Sequence, residues 1–201
     1  MKWKVPVLWI FFAVVVYFFY VFVYDGTRHI KSRLDNKYYS VRNRSNQQTK
    51  ADLLALIRLK LETIVRSLRN SEYSTNPAVA RLITNWNRGV TVKEIGNLET
   101  DAAYVINKQY MSFCLPDDTA NSLNKINLMT YVGIHELAHI MSDETGHGDE
   151  FVKNFEFLLN YSKRLMYTDP LTQRQLPVYI QLDKLNTDDN YCGVPLINSI
   201  N

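Results

Sequence analysis

Three of the chain's four histidines fall within HELAHIMSDETGHGDEF, residues 135–151. Positions i and i+4 of a helix share one face, so a helix here aims the imidazoles of His135 and His139 at one point. Two nitrogens so spaced suit a tetrahedral zinc ion. Glu136, offset from that row, can reach water beside the metal without binding the metal itself. This is the HExxH arrangement of metallohydrolases, whose glutamate is the general base. The five-residue pattern also arises by chance, as a surface helix with incidental histidines, so its surroundings must decide. INLMTYVGI, just before it, is apolar enough for a buried helix, where paired histidines without a ligand are costly. Gly146 can take the positive φ that reverses a chain after a helix, and His147 follows at once. Three protein nitrogens would leave a fourth position open, the catalytic arrangement for zinc. Glu150 and Glu156, further on, are the alternative third ligands. The metzincin pattern is not met, because Ser142 and Thr145 stand where its Gly and last His belong.

The segment YVGIHELAHIMSDETGHGDEFVKNFEFLL resembles the WLM-domain and SprT-like metallopeptidases, in which HELAH is followed by Gly-His-x-x-x-Phe, here Gly146, His147 and Phe151. It is similar above all to WLM-like proteins of large DNA viruses, which share a YxINK…CL segment (104–115) and a YCG (191–193). The likeness covers roughly residues 50–201. It implies an α+β, zincin-like domain with a small mixed sheet and an HExxH active-site helix. It implies one Zn2+ held by His135, His139 and His147, with Glu136 as base in peptide hydrolysis. A protein or peptide substrate would pair with a strand at the cleft edge, for which Tyr110, Met111, Ser112 and Phe113 are the candidates. Phe151 would pack the loop of the third ligand, and Tyr191, in the shared tail motif, is the candidate oxyanion donor. The alternative is a catalytically silent relative that keeps the fold as a binding module. The family is also linked with repair of DNA–protein crosslinks. That work needs further interaction segments, so nucleic acid is not an expected partner.

Other elements must hold this helix. Leu53, Leu54, Ile57, Leu61, Ile64, Val65 and Leu68 recur at three- and four-residue steps and predict an amphipathic helix. Thr49 and Asp52 have the form of a capping box, and Arg58, Lys60 and Arg66 read as a solvated face. Asn76 and Pro77 cap and open a second helix that Gly89 ends. VTVKEI alternates as a short strand, and AAYVINKQYMSFCL predicts strands turning near Asn107 and Lys108. A helix follows the histidine helix from about Gly148 to Met166, and the tail is irregular with a short strand at PVYIQL.

A net charge of +3 is too small to argue for a nucleic-acid partner. Two cysteines make no disulfide framework; Cys114 and Cys192 can pair or stay free, and Cys114 reads as a core residue. The run VPVLWIFFAVVVYFFYVFVY carries no charge and has about the ~20 residues that cross a bilayer as a helix. It is too long, and lacks a cleavage site, for a signal peptide. The expected organisation is a transmembrane anchor over 1–24, a basic juxtamembrane linker over 25–48 and a metallopeptidase domain over 49–201. Localisation would be single-pass in a lipid membrane, the basic flank favouring a cytosol-facing C-terminal domain.

Overall fold

The computed structural model describes residues 9–17, 26–96, 103–115, 123–181, 190–191 and 194–195. The periodic segment forms the helix α1 (Gln47–Arg69), whose Leu54, Ile57, Leu61, Ile64 and Leu68 are fully buried. Against it lie α2 (Pro77–Asn87), α3 (Leu123–Met141), which carries HELAH, and α4 (Asp149–Ser162). A Cβ at Gly133 would lie 3.1 Å from Leu61 Cδ2, so α3 comes very close to α1 two residues before His135. Asn76 caps α2 as its sequence indicates, its Oδ1 accepting from the amides of Ala78 and Val79. A short 3₁₀ turn, Glu72–Thr75, joins α1 to α2.

The fold is α+β with small sheets. β3 (Thr91–Glu94), β4 (Ala103–Ile106) and β5 (Tyr110–Phe113) form a mixed sheet in the order β3-β5-β4. β5 runs parallel to β3 and antiparallel to β4. The β4–β5 turn uses Asn107 (φ 51°) and Lys108 (φ 56°), two left-handed residues in succession, and Gln109 N donates to Ile106 O at 3.0 Å. That is the turn chemistry of a tight hairpin. Because β5 is paired on both sides, Tyr110, Met111, Ser112 and Phe113 do not form a cleft-edge strand; β3 and β4 are the outer strands. Two further hairpins pair β6 (Met166–Thr168) with β7 (Gln175–Pro177) and β8 (Asn190–Tyr191) with β9 (Val194–Pro195), so the tail is more regular than its composition suggests.

Residues 26–48 are not a simple tether. They form a hairpin of β1 (Thr27–Lys31) and β2 (Tyr38–Arg42), whose Tyr39 and Val41 enter the core. Its anchor to the domain is ionic. Lys50 Nζ lies 2.9 Å from Glu94 Oε1, both side chains wholly buried, and Glu94 Oε2 accepts from Arg42 N at 2.6 Å. One carboxylate thus joins α1, β2 and β3. The capping box at Thr49 does not form: α1 starts at Gln47 after Asn46 in a left-handed conformation. Asp52 instead accepts from Ser32 Oγ, Arg33 N and the Arg33 guanidinium. Burial pushes the Asp52 carboxyl up, and these bonds outweigh it, holding the group below its ordinary range.

Lys60 is not on a solvated face either. It is buried, donates to Val178 O at 3.0 Å and lies 5.0 Å from the Tyr167 ring centre. Burial depresses its pKa to about 8, against the pull of Asp169. Cys114 is disulfide-bonded rather than a free core thiol; Cys192 lies outside the described residues.

Among the described residues no helix is long and apolar enough to cross a membrane. Of the apolar N-terminal run only 9–17 is described, as helix. The expected transmembrane anchor over 1–24 and the single-pass membrane localisation are corrected accordingly. The rest of that run lies outside the described residues.

Removing Lys50 takes from the buried Glu94 its ion-pair partner at 2.9 Å, leaving the Arg42 amide at 2.6 Å and the Arg42 Nε at 4.0 Å to compensate the charge in part. Lys50→Met is expected to cost about 3–5 kcal/mol, read as a lowered urea midpoint for unfolding. A loss below about 1 kcal/mol would show that the pair does not anchor the hairpin.

Candidate metal centre

α3 is buried along most of its length: Ile134, Leu137, Ala138 and Ile140 have no exposed surface, and His135 and His139 stand together on its partly open side. After Met141 the chain leaves the helix through a loop, 142–148, and returns as α4. Gly146 takes φ +88° with nothing within 4 Å of a Cβ there, so conformation rather than space calls for glycine. The next residue, His147, brings its Nε2 to 3.1 Å from His135 Nε2. One nitrogen from each of His135, His139 and His147 can be chosen so that all lie within 4.8 Å of one another.

The rings rest on an aromatic floor. Phe151, nearly fully buried, has its ring centre 4.8 Å from that of His135, 4.4 Å from His139 and 4.7 Å from His147. Phe155 backs it, 5.2 Å from His135. Burial, with the neighbouring histidines adding to it, lowers the pKa of His135 to about 3. Burial, then His147, lowers that of His139 to about 4. Both are therefore neutral at ordinary pH, the form in which imidazole donates to a metal. The donor set suits zinc, for which three histidines and an open position are a known catalytic arrangement.

Glu136 shares the cleft. Its side chain is buried, its Oε2 has no hydrogen-bond partner, and burial raises its pKa to about 8. A buried polar atom without a partner is rare in a folded chain, and a perturbed carboxyl in a cleft beside ligand-forming groups makes this the candidate functional site. The cleft, about 670 Å³, is lined by the three histidines, Glu136, Glu144, Thr145 and Gly146 on one side. Ala103, Tyr104, Val105, Asn107 and Lys108 form the other wall. Strand β4 and its turn thus take the place expected of β5.

The remaining candidates fall elsewhere. Glu150 spends both carboxylate oxygens on Arg81 Nη1 (2.8 Å) and on the amides of Asp143 (2.9 Å) and Glu144 (3.3 Å). Glu156 is exposed on α4 and does not line the cleft. Tyr191 lies in β8 opposite Val194, and its side chain, with the oxyanion role expected of it, lies outside what is described. What the sequence did not reveal is the fastening of the end of α3. Asn85 Nδ2 donates to Ile140 O at 3.1 Å, Arg81 Nη1 to Met141 O at 2.8 Å, and Lys108 Nζ to Ser142 O. Ser142 Oγ donates back to Ala138 O and accepts from Asn154.

No family model matches the chain, and no solved structure matches it. Three viral proteins are similar in sequence. The uncharacterized protein R325 of Acanthamoeba polyphaga mimivirus is 26% identical over 83% of this chain and 80% of its own length. The uncharacterized protein 136R of Invertebrate iridescent virus 6 is 31% identical over 45% of this chain and 53% of its own. The uncharacterized protein 042R of Invertebrate iridescent virus 3 is 32% identical over 36% and 46%. The chain thus spans about half the length of each iridescent-virus relative.

Elemental analysis of the purified chain should find about one zinc per molecule, lost in His135→Ala and His139→Ala and kept in Glu156→Gln. Phe151→Leu keeps the ligands but loosens their support, and should weaken zinc about 10-fold in competition with a chelator. Undiminished zinc in the His139→Ala chain would rule out this ligand set.

Proposed function

We propose that the chain is a zinc-dependent metalloendopeptidase of the WLM and SprT-like kind, hydrolysing peptide bonds in a protein or peptide substrate. One observation carries the reading: a buried glutamate with a free carboxylate oxygen opens onto the same cleft as three converging histidines. His135, His139 and His147 would hold the ion. Bound there, zinc supplies the positive charge that activates water, polarises the scissile carbonyl and draws Glu136 back to its ionised form.

The chain's own groups supply the rest. Strand β4 is an outer strand of its sheet and the one that lines the cleft, so an extended peptide can add to it by main-chain hydrogen bonds. That pairing presents a peptide carbonyl to the histidine side of the cleft. Glu136 takes a proton from the attacking water as the oxygen–carbon bond forms. It passes that proton to the amine nitrogen as the carbon–nitrogen bond breaks. The walls of β4 are largely apolar around Ala103 and Val105, which limits water at the reacting bond.

Glu136→Gln should retain about one zinc per chain and lower cleavage of an unstructured protein such as casein by about 10²–10⁴-fold. Cleavage at the wild-type rate in that variant would sink the mechanism. A zinc-loaded wild type that cuts nothing would favour a binding module of the same fold.

A further inference from the structure

We propose that Arg81 and Glu150 are positioning residues that clamp both ends of the 142–148 loop and so deliver His147 to the metal centre. The inference rests on the metal-binding reading above and adds a part to it. A single guanidinium nitrogen, Arg81 Nη1, donates at 2.8 Å to Met141 O, the last residue of α3, and at 2.8 Å to Glu150 Oε1, in the first turn of α4. The other oxygen, Glu150 Oε2, accepts from the amides of Asp143 and Glu144 inside the loop. Arg81 Nε also lies 3.9 Å from Asp143 Oδ1. One side chain from α2 thereby fastens the exit of α3, the start of the loop and the entry of α4.

An acidic residue in the first turn of a helix needs no special cause, since it suits the helix dipole. That does not account for the two loop amides turned onto Glu150, nor for an arginine reaching it from a different helix. The clamp matters because of what it encloses. His135 and His139 are fixed by α3, but His147 is exposed and reaches the cleft from a loop with no regular structure. Between the held amide of Glu144 and α4 lie only Thr145, Gly146, His147 and Gly148, two of them glycines. A loop tethered at both ends samples fewer positions, so less entropy is lost when its histidine binds. Groups behind a ligand commonly change metal affinity 10- to 100-fold.

The test uses the full chain, with zinc affinity read by chelator competition and ligand geometry by the visible absorption of bound cobalt(II). Glu150→Gln places N–H groups against the donors it now serves, and Arg81→Met removes the shared donor. Each should weaken zinc about 10- to 100-fold and move the cobalt spectrum toward that of His147→Ala, while thermal unfolding of the metal-free protein reports that the chain still folds. If the clamp acts through His147, adding Glu150→Gln to the His147→Ala chain should change the residual affinity less than about 2-fold. Wild-type affinity and spectrum in both clamp variants would overturn the inference while leaving the metal centre intact. So would an undiminished further loss in the double variant. A wild-type chain that takes up neither zinc nor cobalt would overturn the metal centre itself.

Discussion

The molecule is tied together at the C-terminal end of α3. A helix leaves its last carbonyls without intrahelical donors, and a buried helix end must find donors elsewhere. Here the donors come from outside the helix: Asn85 and Arg81 on α2 take Ile140 O and Met141 O, and Lys108 in the β4–β5 turn takes Ser142 O. Two of the three are cations placed where the negative end of the helix dipole favours them. Satisfying one helix end therefore fixes three relations at once. α2 is locked to α3, the turn of the β4–β5 hairpin is locked to the point where α3 stops, and the loop bearing His147 starts from a defined place. The two walls of the cleft are joined through Ser142, which is itself wholly buried.

Against that rigidity, Glu136 stands out as a group that the fold leaves unsatisfied. Other buried charged and amide groups are matched: Glu94 has Lys50 and Arg42, Lys60 has Val178 O, and Asn154 has Ser142; Arg58 Nε and Ser112 Oγ also lack partners, but neither carries a buried carboxyl's cost. A carboxyl kept buried with a free oxygen and a pKa pushed to about 8 is costly for stability at neutral pH. Packing alone would be served better by an apolar side chain. Under the proposed function, that cost is the condition for a base that meets its partner only when the cleft is filled.

Features that depend on a few adjacent residues were legible in the sequence. HELAH placed two imidazoles on one helix face, Gly146 marked the reversal before His147, and Asn76 with Pro77 marked the start of α2. Asn107 was readable as a turn residue because asparagine accepts a left-handed backbone more easily than most residues, whereas Lys108, which takes one too, carries no such signal. Features that depend on distant partners were not. Lys50 and Lys60 look like surface residues until Glu94 and Val178 O are brought to them. The strand candidates were found, but their order was not: β5 became central because β3, with a connection of its own, adds in parallel on its far side. The hairpin at 27–42 was hidden by its basic composition, since its few apolar anchors, Tyr39 and Val41, are supplemented by distant polar partners, Glu94 and Asp52. In the N-terminal run, apolar length suggested a span that the described helix does not provide.

The same contrast explains why the third histidine was harder to read than the first two. A ligand pair at i and i+4 is encoded by helix geometry, and any sequence that forms the helix delivers it. A candidate ligand on a loop is placed by whatever holds the loop, and here that is spread over Arg81 on α2, Asn154 and Glu150 on α4, and Lys108 in a hairpin turn. Glu150 illustrates the difficulty. By residue type and position it was a reasonable metal ligand, yet both its oxygens serve the backbone and an arginine. A carboxylate near a metal centre has two uses, to bind the ion or to hold what binds it. Only the partners of each oxygen tell them apart.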